Sequence, residues 1–136
     1  MTTRARYLAS YHASVGAVTN ETQTFSTAQI GAVTTLTDAV NISTNLALSN
    51  NFTITLGGNR TLDNPTNPGL AQSGSIFIVQ DGTGSRTLSF GTYWKFADGA
   101  GPTISTAANA IDRLDYIVQT ATAIQSVITL DIKTIV

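Results

Sequence analysis

A nucleophilic serine or threonine needs a base within hydrogen-bond reach, and the 136-residue sequence holds a single histidine, His12, near its start and away from any nucleophile-elbow motif. Asp112 and Asp115 are close enough in sequence to suggest a carboxylate pair. Three-residue spacing in a strand sends them to opposite faces, which leaves them as caps or as partners of Arg113. The run Asp81-Gly82-Thr83-Gly84 has the look of a phosphate cradle or a calcium loop. It lacks the Lys of a Walker motif and the alternating acids of a calcium loop, and turn chemistry accounts for it. With no cysteine there is neither a disulfide nor a thiolate metal site. The expectation is a protein without catalytic residues, cofactor or metal.

Tyr93-Trp94-Lys95-Phe96 is the group with a functional reading to weigh. In an alternating strand Trp94 and Phe96 face one way, toward the core, and Tyr93 and Lys95 the other, as candidates for a subunit interface or a sugar-binding platform. Arg4 and Arg6, the only close basic pair, and the neighbouring Tyr7 and Tyr11 are the candidate interface residues of the N-terminal region.

The elements that must position these residues are strands. From Leu36 onward period two dominates: Phe52, Ile54 and Leu56 alternate with Thr53 and Thr55, the pattern of a half-buried strand. Gly57-Gly58-Asn59 supplies a turn, and Pro65 and Pro68 mark a loop, since proline has no donor for a ladder. The unbroken Ile76-Phe77-Ile78-Val79 predicts the centre of the sheet, covered on both sides. Asp81–Ser85 is expected to turn it into a hairpin with 86–90. A helical turn is expected over 106–110, and 113–119 with 124–135 as a closing antiparallel pair. Residues 1–35 read as an N-terminal arm, with Ser26 capping a short helical turn over 27–33. Residues 36–136 read as the body. Turns at about ten-residue intervals predict a single β-sandwich or jelly-roll-like domain of some seven or eight strands. No repeat is visible, which argues against a solenoid.

Composition agrees with this all-β class. Charged residues are 11% of the chain, about half the usual share, and Ser and Thr together make up about a quarter. Threonine is β-branched and suits a pleated, half-buried surface. Near-average hydrophobicity with a net charge of −1 argues against disorder. A weakly charged surface suits a subunit packed against copies or partners. Seven scattered basic residues do not make a nucleic-acid footprint. No apolar run reaches membrane-span length, and none at the N-terminus reads as a signal peptide.

The segments FSTAQIGAVTTLTDA, NNFTITLGGNRTLDNPTNP, QSGSIFIVQDGTGSRTLSFGTYWKF and ISTAANAIDRLDY together resemble a small β module of tailed-bacteriophage virion proteins, found in decoration, head-fibre and tail-fibre proteins. The opening MTTRARYLA is similar to the start of many phage fibre and appendage proteins. The resemblance covers the chain from about Thr27 to Leu130. It implies a rigid sandwich, usually a homotrimer, displayed on the particle surface and made in the host cytoplasm, and it brings no catalytic residues. Its expected partners are copies of itself, the phage major capsid protein or other virion proteins, and a host surface glycan, with neither nucleic acid nor membrane insertion. A lone module with a short arm points first to a capsid decoration (cement) protein held by the arm. The alternative is a receptor-binding or tip module of a tail fibre or head fibre.

Overall fold

The computed structural model describes residues 28 and 30–135. Contacts divide the chain into Met1–Ile30 and Gly31–Val136, and the fold below is that of the second unit. Of the expected helical turn over 27–33, residues 27 and 29 lie outside the described residues, as does its cap Ser26, and Val33 is already in a strand.

Nine strands are present among the described residues: β1 (Val33–Thr35), β2 (Asn41–Ile42), β3 (Asn51–Leu56), β4 (Arg60–Leu62), β5 (Ser73–Gln80), β6 (Leu88–Phe90), β7 (Trp94–Lys95), β8 (Ile111–Thr120) and β9 (Ala123–Thr129). They form a six-stranded sheet in the order β1-β3-β5-β8-β9-β7 and a three-stranded sheet in the order β2-β4-β6. Both sheets feed one core, to which the larger gives Phe52, Ile54, Ile76, Ile78, Leu114, Val118 and Ile124 and the smaller gives Ile42, Leu62 and Leu88. The protein is an all-β domain, as its composition and period-two pattern imply.

The alternation in β3 is realised as read: Phe52, Ile54 and Leu56 are buried, Thr53 is half-buried and Thr55 exposed. Each fully buried aliphatic or aromatic side chain of this kind contributes about 1.5–3 kcal/mol through removal from water. β5 lies inside the larger sheet, paired in parallel with β3 and antiparallel with β8. Its inner face, Ile76, Ile78 and Gln80, is buried, whereas Ser75, Phe77 and Val79 on the other face are half-buried, so it is not fully covered on both sides.

Connectivity departs from expectation in one coherent way. The predicted hairpin between β5 and 86–90 does not form, because β3 and β8 already occupy both edges of β5. The turn itself redirects the chain: Gly84 (φ 71°) and Ser85 (φ 60°) are both left-handed. The amide of Ser85 then donates to the Thr106 carbonyl at 2.7 Å. The strand after the turn, β6, joins the smaller sheet in parallel with β4.

The same step recurs along the chain. Residue 33 stacks in parallel on 51 and 51 on 75 in one sheet, while 41 stacks on 61 and 61 on 89 in the other. These are three stacked coils of a short parallel solenoid, where the sequence reading argued against one and a jelly roll would pair its strands antiparallel. The coils are unequal in length, so no fixed period marks them in the sequence.

The expected closing antiparallel pair is present as β8 and β9, but β9 ends at Thr129 rather than running to residue 135. The helical turn expected over 106–110 is a single turn in which the Ala110 amide donates to the Ala107 carbonyl at 3.1 Å.

Candidate functional site

A groove of about 760 Å³ runs from Arg86 through β6 and β7 to the segment Gly99–Thr106. Polar contacts made by Gln80 and Asn64, which lie outside it, set its walls. Gln80, at the inward-facing end of β5 and 2% exposed, donates from Nε2 to the carbonyls of Arg86 and Ser105, both at 2.8 Å. Its Oε1 accepts from the Arg86 amide at 3.0 Å. One buried amide side chain therefore ties Arg86 to Ser105 at one end of the groove, with every hydrogen-bonding group it uses satisfied inside the core.

Asn64 fixes the opposite end, its Oδ1 accepting from the Tyr93 amide at 2.8 Å and its Nδ2 donating to Thr92 Oγ1 at 3.3 Å. The indole of Trp94 is buried and donates from Nε1 to the Asp63 carbonyl at 3.0 Å. It also packs edge-on against Tyr116, with ring centroids 6.1 Å apart. Phe90 and Phe96, half-buried, meet edge-to-face at 4.8 Å in the lining. Around them stand the exposed hydroxyl residues Thr87, Ser89, Thr92, Thr103 and Thr106.

Among the described residues the charges lining the groove are Arg86 and Lys95, with no carboxylate. Arg86 is committed: its Nη2 and Nε donate to Asp81 Oδ2 at 2.7 and 3.1 Å. The Arg86 hydrogen bond, helped by the amides of Gly84 and Thr83, holds the Asp81 carboxyl below the ordinary carboxylate range. Lys95 is exposed and donates to the Thr92 carbonyl at 2.6 Å.

The candidate residues sort as follows. Trp94 is in the core, and Phe96 packs against it half-buried, as expected. Tyr93 also packs against the core and is half-buried rather than free. Lys95 is exposed on the groove. Arg4, Arg6, Tyr7, Tyr11 and His12 lie outside the described residues.

Asp112 and Asp115 do point to opposite faces of β8. Asp112, 2% exposed, accepts from the amides of Ser105 and Asp131 at 2.7 and 2.8 Å. Asp115 accepts from Ser75 Oγ at 2.6 Å and pairs with Arg113 at 2.9 Å. Both carboxylates are engaged in holding the fold. Among the described residues no group of three His, Cys, Asp or Glu is placed to hold a metal, and no helix is long and apolar enough to cross a membrane.

The sequence reading missed Gln80 and Asn64. Gln80 had a signal, as a polar residue in the buried phase of an apolar strand.

Residues 41–120, more than half of the chain and including β2 through β8, match the family described as "Putative phage tail fibre C-terminal domain". The chain belongs to that family. It is therefore a structural module of the phage particle, in keeping with the virion resemblance of its motifs. No curated protein and no solved structure matches the chain. Within the module the matched span contains the whole groove, from Arg86 to Thr106, together with the Gln80 and Asn64 that shape it.

Proposed function

We propose that the chain is a receptor-binding module of a tail fibre, with the groove beside β6 and β7 as the surface presented to the host. The observation that carries this reading is the match of residues 41–120 to a tail fibre C-terminal domain family, which supports the fibre over capsid decoration. The groove adds a formed concavity with apolar walls and a few placed polar groups, the usual character of a ligand site. On this reading the module performs no chemistry, and its carboxylates serve the fold.

Self-association belongs to the same proposal. The outer face of the larger sheet carries exposed Val33, Ile117 and Val127 beside half-buried Phe77 and Val79. A sheet face of this kind, whose Arg113 and Asp115 neutralise each other, suits packing against copies of the chain, and a homotrimer is the expected assembly.

Competition for adsorption tests the function. Purified protein added to host cells before the phage is expected to slow adsorption in proportion to its concentration. Absence of any effect, with antibody labelling of the chain on the capsid shell rather than on the tail, would return the decoration reading.

A further inference from the structure

Five cationic side chains lie among the described residues, and four of them are neutralised: Arg60 by Asp38, Arg86 by Asp81, Arg113 by Asp115 and Lys133 by Asp131. Lys95 is the fifth, without an ion-pair partner among the described residues; no described carboxylate lines the groove on which it stands, and Asp115 lines the neighbouring concavity that Lys95 also borders. In a chain with so few charges, a cation without an ion-pair partner on a formed groove is placed to stabilise a negative charge brought by a ligand.

The rest of the lining narrows the class of ligand. The half-buried rings of Phe90 and Phe96 offer apolar surface to the C–H face of a ring, and five exposed Ser or Thr hydroxyls offer both donors and acceptors. That mixture suits a polyhydroxylated ring better than an extended peptide, because strand addition needs a free edge of some length and β6 is three residues long. The volume of about 760 Å³ leaves room for more than a single ring.

We propose that this groove binds an anionic saccharide, with Lys95 Nζ as the partner of its acid group and the Phe90–Phe96 pair as the platform for a sugar ring. Lys95 donates one hydrogen bond to the Thr92 carbonyl, which aims the ammonium and leaves two N–H donors for the ligand. The inference rests on the receptor-binding reading but is tested separately from it.

The experiment is calorimetric titration of the full chain with a hexamannuronate oligosaccharide, with neutral maltohexaose, oligoglutamate and inorganic phosphate as comparisons. Binding of the uronate at least about tenfold tighter than the others, weakening as salt is added, is expected. Lys95→Gln should weaken it about tenfold and Lys95→Arg should largely restore it. Equal affinity for maltohexaose, tighter binding of oligoglutamate, or an unchanged Lys95→Gln affinity would overturn the proposal. Adsorption competition separates the two levels. A protein that blocks adsorption but does not bind the uronate through Lys95 keeps the receptor reading and loses the saccharide. One that binds the uronate through Lys95 without affecting adsorption does the reverse.

Discussion

The hydroxyl of Tyr116 donates to the backbone carbonyl of Asn50 at 2.7 Å, joining β8 to the end of the first coil across 66 residues. The two meet over Gly74, the residue opposite Tyr116 in the β5–β8 ladder. A Cβ on Gly74 would lie 1.7 Å from the Asn50 oxygen and 2.8 Å from the Tyr116 hydroxyl oxygen. Solenoid and closing hairpin are fastened here by a contact that only glycine permits.

Gly74→Ala should therefore cost about 3 kcal/mol or more, because the obstructing atoms are backbone and cannot swing away. Tyr116→Phe should cost only about 0.5–1.5 kcal/mol, since the Asn50 carbonyl still accepts from the Ser75 amide. Urea unfolding of the two variants checks the ordering. A Gly74→Ala protein as stable as the parent would show that the approach of Asn50 is not required.

Tyr116 also gives the protein an alkaline limit. Burial raises its hydroxyl from the ordinary value of 10.0 to about 12. The unfolded chain thus loses this proton first, and the stability carried by the neutral phenol is complete below about pH 10. It is lost as pH rises through about 12. At the acid end the signs reverse. The Arg60 hydrogen bond lowers the Asp38 carboxyl, and the Arg86 hydrogen bond lowers Asp81. Their contribution is present above the unfolded value of about 3.9 and disappears as pH falls through the depressed folded values. Melting temperature against pH should fall at both ends, with Tyr116→Phe flattening the alkaline limb and Asp38→Asn with Asp81→Asn the acid limb.

Gln80→Ala should destabilise the domain by about 2–4 kcal/mol, because it strands the Arg86 and Ser105 carbonyls and the Arg86 amide and leaves a cavity. Its distinctive effect is local. Hydrogen exchange at the amides of 86–90 and 103–106 should accelerate more than at those of β8. Uniform acceleration would mean that Gln80 supports the core in general rather than the groove walls in particular.

Ile117→Lys combined with Val127→Lys tests the outer sheet face. Both parent residues are exposed, at 49% and 69%, so the isolated domain should change by no more than about 0.5 kcal/mol. Sedimentation of the parent should show a trimer and that of the double variant a monomer. A trimer that survives both substitutions would place the contact elsewhere.

The amino-acid sequence alone determined the β class and the core. Alternation along Phe52-Thr53-Ile54-Thr55-Leu56 specifies which side chains face inward, because successive Cβ atoms of any strand point to opposite faces whatever that strand pairs with. The virion origin was legible in the motifs for the same local reason, since they are contiguous runs. Pairing was decided only in three dimensions. Parallel and antiparallel neighbours bury the same face, so nothing in the pattern of 75–80 and 86–90 says whether they form a hairpin or enter different sheets. The left-handed pair Gly84-Ser85 and the occupied edges of β5 settle that question. The groove is likewise a product of tertiary structure: Gln80 reaches Ser105, and Asn64 reaches Thr92, only once the coils are stacked.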